Sequence, residues 1–454
     1  MDKRMTNDTR KVGISDIQLY IPQPKLDLEV LVKNRARAEP RLGRHLERAI
    51  KVTGQRAIRF PQVWEDTATM AAQAVHRLLQ RFSPVVLPNL RHLVVGTETT
   101  VDQSKPVSAY VQGMLQRSGL NVPERLSSFQ VQHACAGATM SLVSVGSMLA
   151  LGNRAAEAGM VIASDIARYQ TATTAEVTQG AGAVALLLET SPRLLELELV
   201  NLGYCSRDVD DFFRPVGSHL AQVRGRYSMD CYLDSLNEAF LDHCQRVGEL
   251  PADVLESTDF FVLHTPFRNM PEIAMQDLLK RHLYMDADAS RPYLEEKGFY
   301  RGVDPLSDVG NLYSGSMYMF LVSLLCDRYR VMGEAIVGKR LMLASYGSGN
   351  TMIVYTARVA AGAPEVIKSW DFDSLFTSAR ESTMEEYEVW AGGPYGRAEL
   401  EELLEGSSVP AETFYLSGIR EDGYREYKYA AAVGDWLPER EASVDLRRSV
   451  PVLR

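Results

Sequence analysis

VIASD (Val161–Asp165) followed by GAGAVALLLE (Gly180–Glu189), and LMLASY (Leu341–Tyr346) followed by GSGNTMIVYTA (Gly347–Ala357), are one pattern written twice. Each joins two apolar runs, the first ending in Ala-Ser, through a turn of small residues. Runs this short and continuously apolar read as strands buried on both faces. Their recurrence predicts an architecture of two similar halves. Outward from the first copy, Lys11–Tyr20 (KVGISDIQLY), His92–Gly96 (HLVVG) and Phe129–His133 are further strands. Between them Asp27–Arg37, Thr67–Arg81 and Ser108–Arg117 carry apolar residues at helical spacing, the second after an acidic start at Glu65 and Asp66. Around the second copy lie strand-like Leu195–Leu202, helical Tyr232–Arg246, strand Phe260–His264 (FFVLH), and helices Ala274–Leu283 and Ser316–Tyr329. Strand–helix alternation through both halves predicts a layered α/β fold. The expected organisation is a first half over 11–190, a second over 191–365, an acidic helical appendage over 366–430 (helices at Ser378–Trp390 and Arg397–Glu405), and a polar tail over 431–454.

Composition narrows the function. The 454 residues carry 49 Lys+Arg against 58 Asp+Glu, a formal net charge of −9. That balance argues against nucleic acid as the main ligand, since phosphate binding needs clustered Lys and Arg. The polar start MDKRMTNDTRK has no apolar core of secretory-signal length, and no run reaches the ~18 uninterrupted apolar residues of a spanning helix. Ala134–Gly152, the most apolar window, contains Thr139, Ser141, Ser144 and Ser147 and reads as a buried helix. Cys135, Cys205, Cys231, Cys244 and Cys326 are widely spaced, with no CxxC pair and no zinc spacing. They read as free thiols in the cytosol, and no metal site is expected.

Four residues stand where chemistry is usually placed. Cys135 lies in HACAGATMSLVSVGSMLALG, where a strand gives way to an apolar helix. A thiol at a helix N-terminus is expected to ionise more easily, because the dipole and the free N–H groups favour its anion. The small Ala134, Ala136, Gly137 and Ala138 leave room for a substrate and let backbone N–H groups face an oxyanion. His264 closes a buried strand, the edge where open α/β sheets place ligands. Glu98 follows another strand end, where burial would raise its pKa and suit it to act as a base. Asn311 stands beside Gly310, before a helix start. Singly, each has a bland reading: a packed core thiol, a structural imidazole, a loop glutamate, a turn asparagine. Four reactive types at four element ends argue for one site.

The strings HACAGAT, VVGTETTVDQSKP, SDIARY…TQGAGAVALLLE, DFFRPVG, GRYSMDCYL, HTPFRNM, VGNLYSGSMY and ASYGSGN together resemble the hydroxymethylglutaryl-CoA synthase family, condensing enzymes of the thiolase superfamily. With weaker flanking similarity, including FYLSGIRE…REY, the resemblance runs from about residue 11 to residue 428. It implies a five-layer αβαβα thiolase-like fold built from two similar halves. It implies that Cys135 is the nucleophile, Glu98 the general acid/base and His264 the catalytic histidine. Tyr169, Thr178, Ser228, Asn311 and Ser345 would line the substrate site. The implied reaction joins acetyl-CoA, acetoacetyl-CoA and water into 3-hydroxy-3-methylglutaryl-CoA and CoA through an acetyl-cysteine, as in the mevalonate route to isoprenoids. The partners implied are acyl-CoA esters and a second copy of the chain in a cytoplasmic homodimer. No cofactor, nucleic acid or membrane is implied.

Two positions depart from the family pattern. Ala136 follows the nucleophile where the family often has Tyr, which is expected to widen the pocket floor. Asn269 stands where many members carry Lys in the histidine motif, and Arg268 is the candidate to meet a CoA phosphate in its place. Other readings compete. A ketoacyl synthase with Cys, His and Asn decarboxylates a malonyl donor and has no role for Glu98. A β-branching synthase takes a β-keto thioester from a carrier protein, whose acidic helix needs a basic patch; the net charge of −9 argues mildly against that. A cysteine protease fits the residue types but not the surrounding motifs. A catalytically silent binding protein on the same fold would be marked by loss of Cys135, Glu98 or His264, and all three are present.

Overall fold

Both quoted repeats are antiparallel strand pairs, with Val161 opposite Leu186 in the first and Leu343 opposite Tyr355 in the second. The computed structural model describes residues 11–152, 156–393 and 395–432; the tail expected at 431–454 lies, beyond residue 432, outside the described residues. Ten strands form one mixed sheet: β1 (Val12–Tyr20), β2 (Leu90–Gly96), β3 (Ser127–Val131), β4 (Ala158–Ala167), β5 (Gly180–Glu189), β6 (Leu195–Leu197), β7 (Gly203–Ser206), β8 (Phe260–Leu263), β9 (Arg340–Gly347) and β10 (Thr351–Val359). Its spatial order is β8-β9-β10-β6-β1-β5-β4-β2-β3, with β7 also paired to β10. The strand expected over Leu195–Leu202 stops at Leu197, and the chain re-enters the sheet at Gly203.

Side-chain alternation along the strands builds the layers. Leu93, Val95, Met160, Ile162, Ala183, Ala185 and Leu187 face outward into a core shared with helices α3 (Thr67–Val86) and α4 (Val107–Arg117). Their neighbours Val94, Val161, Ala163, Val184 and Leu186 face inward, towards α5 (Gly137–Leu151). Beside α5 lies α8 (Gly315–Met332), with the Thr139 and Tyr318 hydroxyls 2.9 Å apart. On the far face of the second-half strands sits α6 (Gly225–Val247), with α7 (Met270–Leu283) against it. Outer helices, strands, central helices, strands and outer helices make the five-layer αβαβα fold.

The segment Ala134–Leu151 is long and apolar enough to cross a membrane by length and composition. Its Ala138, Leu142, Val145 and Leu149 are nonetheless buried in the core, while Met140, Val143, Ser147 and Leu151 form a more open stripe. Helices α1 (Leu28–Ala38) and α2 (Pro40–Thr53) pack on each other, and α2 borders the segment Thr174–Thr178 between β4 and β5.

After residue 366 come α9 (Met384–Gly392) and α10 (Arg397–Glu405). The first starts later than the Ser378 expected, because Thr383 and Glu386 form a reciprocal capping box and Arg380–Glu381 pairs with Pro24 and Lys25. A hairpin, β11 (Thr413–Ile419) with β12 (Arg425–Ala430), completes the appendage, so it is not wholly helical. Its Phe414, Leu416 and Tyr427 are buried against α3 and α4.

Candidate active site

Cys135 stands on the turn between β3 and α5. Ala134 before it takes φ +38°, a left-handed conformation that strains an L residue, and the Ala136 N–H closes the turn on the His133 carbonyl at 2.9 Å. Two glycines let the sheet reach this turn. A Cβ on Gly96 would lie 2.2 Å from the Ala138 nitrogen, and one on Gly347 would lie 2.8 Å from the Ala136 Cβ. The second half repeats the device before α8. Tyr313 takes φ +46°, and the Gly315 N–H bonds the Leu312 carbonyl at 2.9 Å, so Ser314 occupies the place matching Cys135. Asn311 is held at this second turn.

The Cys135 thiol donates to Glu98 Oε1 at 3.6 Å. The other Glu98 oxygen accepts from Arg214 Nη1 at 2.6 Å, and Arg214 Nη2 donates to the Tyr313 hydroxyl at 3.2 Å. Burial pushes the Glu98 carboxyl above its ordinary pKa, and Arg214 opposes that rise. Asp165, on β4, braces the loop after β2: its Oδ1 accepts from the Thr97 and Thr99 hydroxyls at 2.7 and 2.8 Å and from the Glu98 N–H at 3.0 Å. Burial, then the nearness of Glu98, push Asp165 up to about 7.

Burial, with Glu98 and Asp165 nearby, raises the Cys135 pKa well above its ordinary value. This corrects the expectation that the helix N-terminus would supply a ready thiolate. Loss of water and two neighbouring carboxyl groups outweigh the dipole, so Cys135 rests as a thiol.

Cys135 opens onto a cavity of about 790 Å³ between the halves, whose wall also holds Tyr169, Thr178, Ser228, His264 and Asn311. Glu98 lies behind the thiol, outside the cavity wall. The His264 carbonyl accepts from the Tyr232 hydroxyl at 2.9 Å, and the two rings stack. Burial lowers the imidazole pKa to about 3, so it is neutral. Asn311 Oδ1 accepts from the Tyr313 N–H at 2.8 Å and the Ser316 hydroxyl at 3.3 Å, which turns Nδ2 towards the cavity, 3.5 Å from the Tyr169 hydroxyl. The Ser228 hydroxyl donates to Asp211 at 3.0 Å, and the Thr178 hydroxyl to the Ala175 carbonyl at 2.9 Å.

Three expectations change. Ser345 is buried within β9 and does not line the cavity; alternation puts it on the opposite face from Tyr346, which does. Arg268 is also absent from the wall, because its guanidinium is committed to Asp304 and Glu272. Asn269 instead donates to the Lys51 and Val52 carbonyls, fastening the end of α2. Ala136 is fully buried beside Gly347 and does not border the cavity, so the missing Tyr does not widen the floor.

Sequence reasoning passed over Asp165, Asp211 and Arg214, although the last two lie in the quoted DFFRPVG motif and Asp165 in SDIARY. It also passed over the mouth of the cavity, where Arg48 and Arg226 form no ion pair among the described residues. No cluster of three or more His, Cys, Asp or Glu placed to hold a metal occurs among the described residues.

Comparison with known proteins agrees with this geometry. Residues 8–192 match the family model for the hydroxymethylglutaryl-coenzyme A synthase N terminal region, and 202–309 with 303–430 match that for the C terminal region. A hydroxymethylglutaryl-CoA synthase of Haloferax volcanii is 29% identical over 459 residues, covering 92% of this chain and 99% of that protein. One of Enterococcus faecalis is 28% identical over 379 residues, covering 83% and 91%. Among solved structures, MvaS in complex with 3-hydroxy-3-methylglutaryl coenzyme A superposes with a TM-score of 0.78 at 31% identity, covering 92% of this chain and 99% of that one. The curacin-pathway HMG synthase in complex with holo donor-ACP, at 22% identity and a TM-score of 0.77, shares the fold. Two family models spanning nearly the whole chain, over a nucleophile turn built twice, show that the chain belongs to the hydroxymethylglutaryl-CoA synthase family of acyl-transferring condensing enzymes.

Proposed function

We propose that the chain condenses acetyl-CoA with acetoacetyl-CoA and water to give 3-hydroxy-3-methylglutaryl-CoA and CoA. The observation that carries this reading is the Glu98–Cys135 contact at 3.6 Å, behind a cavity that Cys135 shares with His264 and Asn311. The Cys135 sulfur attacks the acetyl-CoA carbonyl as its proton passes to Glu98; the carbon–sulfur bond to CoA breaks, and CoA leaves as the thiol with that proton. Glu98, ionised again, takes a proton from the acetyl methyl. The carbanion bonds to the ketone carbon of acetoacetyl-CoA, whose oxygen accepts from the neutral His264 and from Asn311 Nδ2. The alkoxide takes the proton back from Glu98. Water then cleaves the thioester: its oxygen joins the acyl carbon, one proton returns to the Cys135 sulfur, and the product leaves as a carboxylate with release of the other proton. Nucleophile, acid and base account for every step, so we assign no metal or redox cofactor.

Arg48 and Arg226, at the mouth, are the cations for the CoA phosphates. The product chemistry places the enzyme on the mevalonate route. Five free thiols suit a cytoplasmic enzyme. A homodimer is supported by β3, which pairs on one side only, and by the open stripe of the apolar α5.

Intact-protein mass spectrometry tests the reaction. Acetyl-CoA is expected to add one acetyl group, absent from Cys135→Ala, and acetoacetyl-CoA to discharge it as 3-hydroxy-3-methylglutaryl-CoA. No acetylation would overturn the nucleophile. An acetyl group that leaves only for a carrier-bound β-keto thioester would move the assignment to β-branching.

A further inference from the structure

The segment that joins β4 to β5 carries much of the cavity wall: Tyr169, Gln170, Thr173, Ala175 and Thr178 all line it. It is an irregular stretch with a strained turn, since Ala172 takes φ +59°. Among the described residues, none after Ser348 touches the cavity. The appendage nevertheless reaches the back of this segment through one buried side chain, Tyr387 of α9. Its hydroxyl donates to Glu176 Oε1 at 2.7 Å and accepts from Gln179 Nε2 at 2.7 Å. Those two residues hold the segment's backbone. Glu176 Oε2 accepts from the Ala172 N–H at 2.8 Å, and Gln179 Oε1 accepts from the Tyr169 N–H at 2.8 Å. Arg35 of α1 closes the network, pairing with Glu176 at 2.6 Å and with Glu388 of α9 at 2.5 Å. Glu176 and Tyr387 are fully buried, and Tyr387 packs edge-on against Phe60.

We infer that Tyr387, Glu176, Gln179 and Arg35 are positioning residues for the acyl-CoA site, so that the C-terminal appendage sets the substrate wall without touching substrate. The hydrogen-bond directions require it. A hydroxyl that gives its proton to the Glu176 carboxylate can only accept from Gln179, and this fixes the Gln179 amide with its oxygen towards Tyr169. Tyr387→Phe keeps the packed ring but takes the acceptor from Gln179 Nε2 and a donor from Glu176, so neither side chain is held firmly in place to receive the Tyr169 and Ala172 N–H groups. Tyr169 would then lose its backbone anchor, and with it the placement of its hydroxyl beside Asn311.

This rests on the acyl-CoA reading above, and the test separates the two. In Tyr387→Phe the KM for acetoacetyl-CoA is expected to rise about tenfold, the loss of one hydrogen bond to a charged group, while kcat changes less than about twofold. Amide exchange at Tyr169 and Ala172 should speed up, and alkylation of Cys135 by iodoacetamide should keep its wild-type rate. Arg35→Lys, which keeps a cation on Glu176, should reverse most of the KM increase seen in Arg35→Met. An unchanged KM in Tyr387→Phe, or a kcat that falls together with thermal stability, overturns the positioning role while leaving the reaction intact. A wild-type protein that takes no acetyl group removes the acyl-CoA reading and this role with it.

Discussion

Glu98 faces two partners with opposite demands: the Cys135 thiol, whose proton it takes in the proposed reaction, and the Arg214 guanidinium, which favours its ionised form. The buried carboxyl is pushed up by its surroundings and pulled down by Arg214. Removing the guanidinium takes away most of the downward pull and leaves the Cys135 hydrogen bond alone against burial, so the base stays protonated to higher pH. Arg214→Met is therefore expected to move the acidic limb of the condensation rate upward by about 1–2 pH units, and Arg214→Lys to restore most of it. His264 contributes no limb near neutrality, since its imidazole stays uncharged down to about pH 3. A pH–rate profile on all three proteins decides this; an unmoved limb in Arg214→Met would show that another group sets the base. Arg48 and Arg226 give a second test at this scale. Their alanine variants should raise the KM for CoA esters about tenfold each, and leave that for pantetheine thioesters, which lack the nucleotide phosphates, near the wild-type value. Cys135, Glu98, His264 and Asn311 were legible in the sequence because each sits at the end of an element, Cys135 before Ala136 and Asn311 after Gly310. Arg214 and Asp165 were not, because what defines them is a partner far along the chain: Glu98 and Arg214 stand 116 positions apart.

Elements position the chemistry through close backbone approaches that glycine alone permits. β2 can end against the first turn of α5 only because Gly96 lacks a Cβ, which would lie 2.2 Å from the Ala138 nitrogen, a backbone atom that cannot swing away. Gly96→Ala must push α5 off the sheet end, carrying Cys135 away from Glu98. The expected cost is about 2–4 kcal/mol of stability by denaturant unfolding, with iodoacetamide labelling of Cys135 changed as well. Stability within about 0.5 kcal/mol of wild type would mean that the turn adapts. The sequence made these elements readable where apolar runs were continuous, as in β4, β5, β9 and β10. It hid the β11–β12 hairpin, whose Phe414 and Leu416 alternate with polar neighbours over only a few residues. It also misplaced the start of α9, which a capping box sets more firmly than apolar spacing does.

At the scale of the molecule, duplication explains why the site lies where it does. Each half contributes a strained turn before a central helix, α5 or α8, and both line the cavity, so neither half alone holds Cys135 together with His264 and Asn311. The same arrangement leaves α5 incompletely covered. One face is buried in the core, but Met148 and Leu151 are 42% and 85% exposed, next to a sheet that ends at β3 with one edge unpaired. A helix this apolar beside an open strand edge calls for a covering surface, and in the proposed homodimer a second copy of the chain would supply both a matching helix and a matching edge by two-fold symmetry. A standard interface of ~800 Å² per partner would bury the stripe. Replacing Met148 and Leu151 together with Glu places two carboxylates opposite their symmetry mates and is expected to weaken association by about a thousandfold or more. Light scattering at micromolar protein should then report a dimer for the wild type and a monomer for the double variant, with unchanged circular dichroism. A wild-type monomer would overturn the dimer. A double variant that stays dimeric would place its interface elsewhere, away from α5.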